Sequence, residues 1–135
     1  MYSFKCCELQ TIFATTPSNW IETMHWRGVD IFEHQILVLP FASNGQKSLF
    51  VIINATDIRT YHNKSHKGSR PCILHLDPNE KGTSTHDYGT VSERLRVWLN
   101  CMWRKKHNDN NPLSMPFNKR SMPLCRPSGK SNYIN

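Results

Sequence analysis

At 135 residues, 38% of them hydrophobic, the chain is large enough for one modest domain and too apolar for full disorder. No apolar run approaches the roughly 18 residues that span a bilayer, and the opening MYSFKCCELQTIF lacks the charge and apolar pattern of a signal peptide. The net charge of +7 raises nucleic acid as a partner, but residues 1–103 carry 10 Lys/Arg against 9 Asp/Glu, whereas residues 104–135 carry 7 against 1. Basicity confined to one end, without interleaved aromatics, argues against a specific nucleic-acid-binding face.

Without a signal sequence the expected setting is the cell interior, where the five Cys are reduced thiols. Cys6 and Cys7 are adjacent and no CxxC occurs, so neither a disulfide framework nor a zinc ribbon is expected. Two sequons, Asn54-Ala55-Thr56 and Asn63-Lys64-Ser65, carry no weight in that setting.

In chain order, Leu9, Ile12 and Phe13 could begin a strand. Thr16-Pro17 has the form of a helix start, Trp20, Ile21 and Met24 recur at helical spacing, and Gly28 closes the segment. Asp30-Ile31-Phe32 leads into a strand, Ile36 to Leu39, that Pro40 is expected to end. A turn at Ser43-Asn44-Gly45 opens a second strand from Ser48 through Ile53. Thr56 to Arg70 is polar and basic, and reads as a surface loop. A third strand, Cys72 to Leu76, ends at Asp77-Pro78. The three apolar runs are continuous rather than alternating, the pattern of strands covered on both faces.

Thr90 to Trp103 is the clearest helix. Thr90-x-x-Glu93 has the capping-box form, and Val91, Leu95, Trp98, Leu99 and Met102 make one apolar stripe. Arg104, Lys105 and Lys106 suit a solvated helix C-terminus. Residues 107–135 are rich in Asn, Ser and Pro without apolar periodicity, and read as a loop or disordered tail. The expected organisation is a folded part over 1–103 and a basic tail over 104–135.

Few residues offer chemistry alone. Asp77, fixed at a strand end, could orient an imidazole, and could equally cap the turn with Pro78. His62 and His66 lie four apart in a polar loop without further ligands at zinc spacing. His75, Cys72 and Cys101 sit in apolar runs and read as packing residues, and Cys125 has no base near it in sequence. No metal and no cofactor is expected.

As a set, five segments resemble the ubiquitin-like-protein proteases, the SUMO or sentrin-specific cysteine protease family. They are Trp26-Arg27-Gly28-Val29-Asp30-Ile31-Phe32, the strand Ile36 to Pro40, Ser48-Leu49 with Phe50 to Ile53, Pro71 to Asp77, and Leu95-Arg96-Val97-Trp98-Leu99. The match runs from about Ile12 to Trp103. The resemblance implies an α+β, papain-like fold with a mixed sheet and flanking helices, and peptide or isopeptide cleavage after a Gly-Gly tail. In that chemistry a Cys attacks, a His takes its proton and an Asp orients the His. On this chain the resemblance puts Asp77 at the triad Asp position, Gln46 where the His is expected and Lys47 where a Trp covers the substrate channel. The D-C-G-x-F nucleophile motif is not found, so no nucleophile is assigned and the match is to a partial domain. A Gln cannot accept and return a proton near neutral pH. The implied reading is an intracellular family member, nuclear or cytoplasmic, without catalysis. Its partner is a ubiquitin-like protein such as SUMO, with no membrane partner. The alternative is a non-catalytic module that binds such a protein. A partial domain would also leave apolar strand edges unpaired.

Overall fold

The computed structural model describes residues 1–4, 30–43, 46–58, 70–78, 88–111 and 113–126. The expected helix over Thr16 to Gly28, the turn residues Asn44 and Gly45, most of the 56–70 link, and residues 127–135 lie outside them.

The described residues form an α+β unit. Five strands make one mixed sheet in sequence order: β1 (Tyr2–Ser3), β2 (Ile36–Ser43), β3 (Gln46–Ile53), β4 (Cys72–Leu76) and β5 (Leu124–Cys125). The two inner pairings, β2 with β3 and β3 with β4, are antiparallel. The two outer strands pair in parallel and span two residues each. Short outer strands are one way in which sheets limit edge-to-edge association.

Strand β2 does not stop at Pro40, which sits opposite Leu49 in the middle of the ladder. The backbone explains why. Phe4 N donates to Val38 O at 2.8 Å, so the backbone groups of Val38 point toward β1. Pro40 is two residues further on, so its missing N–H is lost from that outer side and the β2–β3 ladder keeps its bonds. Beyond β3, Asn54 adopts the left-handed conformation (φ 57°), which Asn tolerates. A 3-10 turn follows at Ala55–Asp57, and Ile58 is buried, so the first part of the expected loop belongs to the core.

The strands are not covered equally on both faces. Leu37, Leu39, Phe50, Ile52 and Ile73 are buried, and alternate with residues that are half-buried or exposed, among them Ile36 and Leu49. This is the alternation of a sheet with one core face.

The helix α1 (Tyr88–Lys106) supplies the other half of that core through Val91, Leu95, Trp98 and Leu99. It begins two residues before Thr90 and runs three beyond Trp103, so Thr90 is inside the first turn and is not its cap. Glu93 instead pairs with Arg96 at 3.2 Å, one turn along. Phe4 meets Trp98 edge-on at 5.7 Å and ties β1 to the helix.

The largest departure from expectation is the segment after the helix. Residues 107–126 were expected to be a loop or tail, yet through Arg126 the chain packs on the fold, with Phe117, Ser121 and Met122 buried and Leu124–Cys125 joined to β4. Its anchors are polar side chains of α1. Asn100 Nδ2 donates to Phe117 O and Phe117 N donates to Asn100 Oδ1, both at 2.9 Å. Arg96 Nε donates to Met122 O at 2.9 Å, and an Arg104 guanidinium nitrogen donates to Ser114 O at 3.0 Å. The Ser121 hydroxyl donates to Pro116 O at 2.6 Å and accepts from Asn118 N. Together these place residues 113–123 as a strap across α1. The basic helix end is also tied in, since Lys106 Nζ lies 2.7 Å from Asp30 Oδ2.

Candidate functional site

The V-D-I-F segment is described from Asp30 onward, and its role in the structure is architectural. Asp30 Oδ1 accepts from Phe32 N at 2.9 Å and caps the 3-10 turn Ile31–Glu33. Ile31 and Phe32 are buried, and Phe32 packs against Trp103 at 5.2 Å and stacks on Phe117 at 5.9 Å. The L-R-x-W-L segment has the same character: Leu95, Trp98 and Leu99 fill the core while Arg96, 4% exposed, holds the strap.

The residues singled out for chemistry converge at one end of the sheet. Strand β3 starts at Gln46 and β4 ends at Leu76, with Leu49 opposite Leu76. Continuing that antiparallel register one step places Asp77 opposite Ser48. Position 46 shares the parity of Ser48, Phe50 and Ile52, and position 77 shares that of Ile73 and His75. The ladder itself ends at the Leu49–Leu76 pair; extended in the same register, it would set positions 46 and 77 diagonally on the core-side face, where Cα atoms lie roughly 7–8 Å apart. Asp77 itself is half-buried and Ser48 is buried. Lys47 has the opposite parity and is exposed.

His75 is a core residue, 1% exposed and stacked on Phe50 with ring centroids 4.4 Å apart. His62 and His66 lie outside the described residues. Among the described residues no three His, Cys, Asp or Glu side chains gather where they could hold a metal ion.

Three thiols are described, all free. Burial pushes the Cys72 thiol up from its ordinary 9.0 to about 11, and the neighbouring Cys125 thiol, which hydrogen-bonds to it, pushes the same way. Burial also raises Cys101, against the opposing effect of Arg104. Both are poor nucleophiles near neutral pH, because the thiolate is the reactive form. Cys125 sits in β5 opposite Leu74, three residues along β4 from Asp77. Its neighbour is thus another thiol, a proximity that the separation of 72 and 125 in the sequence does not reveal.

This end of the sheet therefore carries Asp77 just after β4 and Gln46 at the start of β3, with the exposed Lys47 next in the chain. The Gln at position 46 has no proton-transfer capacity near neutral pH. In class the described part is an α+β sheet-and-helix unit. Compared with models of known protein families and with curated proteins, the chain matches none. Among the described residues no helix is long and apolar enough to cross a membrane.

Proposed function

We propose that the chain is a divergent member of the ubiquitin-like-protein protease family, built on a papain-like α+β scaffold, that does not cleave its partner. The observation that carries this reading is the register at the β3 and β4 ends. A triad needs its base and its orienting carboxylate within hydrogen-bonding reach of each other, and the resemblance puts the base at the start of one strand and the carboxylate at the end of another. Extended beyond the Leu49–Leu76 pair, the β3–β4 register is compatible with that relation for positions 46 and 77, the two positions that the resemblance marks. The mixed sheet and the aromatic helix behind it support the same scaffold.

Gln46 removes the general base, and Lys47 replaces the apolar wall of a Gly-Gly channel with an exposed cation. Loss of a triad member costs several orders of magnitude in rate. The partner in this reading is a ubiquitin-like protein such as SUMO, met in the nucleus or cytoplasm. Two measurements on the purified chain test it. Titration into isotope-labelled SUMO or ubiquitin is expected to shift a contiguous set of amide signals; unchanged spectra at high concentration overturn the family reading. A SUMO–fluorophore substrate is expected to remain intact; turnover that Cys125→Ala abolishes overturns the inactive reading.

A further inference from the structure

The strap leaves an open groove of about 740 Å³ between residues 119–124 and the N-terminal half of α1. Its apolar floor is Val97, Pro123 and Leu124. Val97 is 42% exposed on a helix whose neighbouring positions 96 and 98 are both buried, so it contributes little to the core and much to the groove. The rear wall is fixed in advance. Arg96 lines it while bonded to Met122 O and to Glu93, and the Asn100–Phe117 pair holds the strap at its other end. A preformed wall lowers the ordering cost of binding.

The charge around the floor is one-sided. Arg96 is buried and paired with the single lining acid Glu93, so Arg94 and Lys119 give the groove its net positive charge. Outside the groove lining, Arg70 donates to the backbone Arg120 O at 2.8 Å, which places its guanidinium one residue from Lys119 on the strap. An apolar floor with a cationic rim complements a short segment that combines aliphatic side chains with carboxylates. A second copy of this chain fits poorly, because a net charge of +7 repels itself. A single-stranded nucleic acid also fits poorly: it binds by stacking on aromatic side chains, and no aromatic residue lines this groove.

We infer that the groove between α1 and the strap is a docking site for an acidic, aliphatic peptide segment of a partner protein. The inference does not depend on the protease reading, because the groove is formed by α1 and the strap and does not include Gln46 or Asp77.

The test is fluorescence anisotropy with three labelled probes: a peptide alternating Leu and Asp, the same peptide with Lys in place of Asp, and an oligothymidylate. The Leu/Asp peptide alone is expected to bind saturably. Lys119→Glu is expected to weaken it at least about fivefold through charge reversal at the rim, and Val97→Asp to abolish it. Both positions are exposed, and far-UV circular dichroism checks that each variant folds; should Val97→Asp unfold, Lys119→Glu decides. Any one of four results overturns the inference: no saturation of the Leu/Asp peptide up to about 1 mM, a weak-binding limit, equal binding of the Lys peptide, tighter binding of the oligonucleotide, or indifference to Lys119→Glu.

Discussion

The helix side of the molecule and the Asp77 end of its sheet are built on different terms. On the helix side each distinctive residue has an identifiable structural partner. Trp98 is fully buried against Phe4, Phe32 is packed between Trp103 and Phe117, Arg96 and Asn100 hold the strap, and Asp30 both caps a turn and pairs with Lys106. At the sheet end, Lys47 points to solvent and Asp77 follows the last residue of β4. The contrast separates residues that hold the fold from a position that contributes little to it. Residues in the first region cannot change without loss of packing. Position 47 lies outside the packed region, and substitution there costs the fold little.

That contrast can be broken first at its strongest point. Trp98→Ala removes a fully buried indole and should cost about 3–5 kcal/mol, enough to unfold most of the population of a marginally stable domain. Urea denaturation would read it, and a loss below about 1 kcal/mol would mean that the helix is not the fold's main support. Next comes Asn100→Ala. It orphans the buried N–H and C=O of Phe117 and should cost about 2 kcal/mol. Limited proteolysis should then cut within residues 107–116 faster than in the parent chain; unchanged cleavage would remove the strap from the account.

How much of this the sequence discloses depends on the kind of signal. Strand β4 is legible to the residue because a short apolar run bounded by Asp77-Pro78 marks it, and α1 nearly so because burial against one face writes a helical period into the chain. The strap is not legible. Its anchors, Asn100 to Phe117, Arg96 to Met122 and Ser121 to Pro116, are side-chain bonds to backbone groups, which leave no periodicity and look like ordinary polar residues. Pro40 misleads for a related reason: whether a proline ends a strand depends on which side its missing N–H faces, and that is set by β1, far away in sequence. Thr90 misleads because the capping-box pattern also fits inside a first turn. At the candidate site, any relation between positions 46 and 77 depends on the strand register, so the resemblance could mark the two positions without showing that relation.

Smaller effects sharpen the comparison. The raised Cys72 thiol means that the folded chain holds its proton longer than the unfolded chain does. This stabilising contribution is complete below about pH 9 and is lost as pH rises through about 11. Thermal unfolding followed across that range should show a falling midpoint, and Cys72→Ala should flatten the fall; an unchanged slope would contradict burial of that thiol. Lys47→Ala should change stability by less than about 0.5 kcal/mol, as expected for an exposed side chain. A larger loss would place Lys47 in the packed region and erase the distinction.

The most direct test of the account concerns positions 46 and 77 themselves. Gln46→His places an imidazole at the start of β3, and its titration can be followed by NMR beside a second protein that also carries Asp77→Asn. If the Asp77 carboxylate faces position 46, the imidazole should titrate about one pH unit higher with Asp77 present than with Asn in its place. The same apparent pKa in both proteins would show that the two positions do not form the base-orienting pair, and the reading of this end of the sheet as a former protease centre would fall.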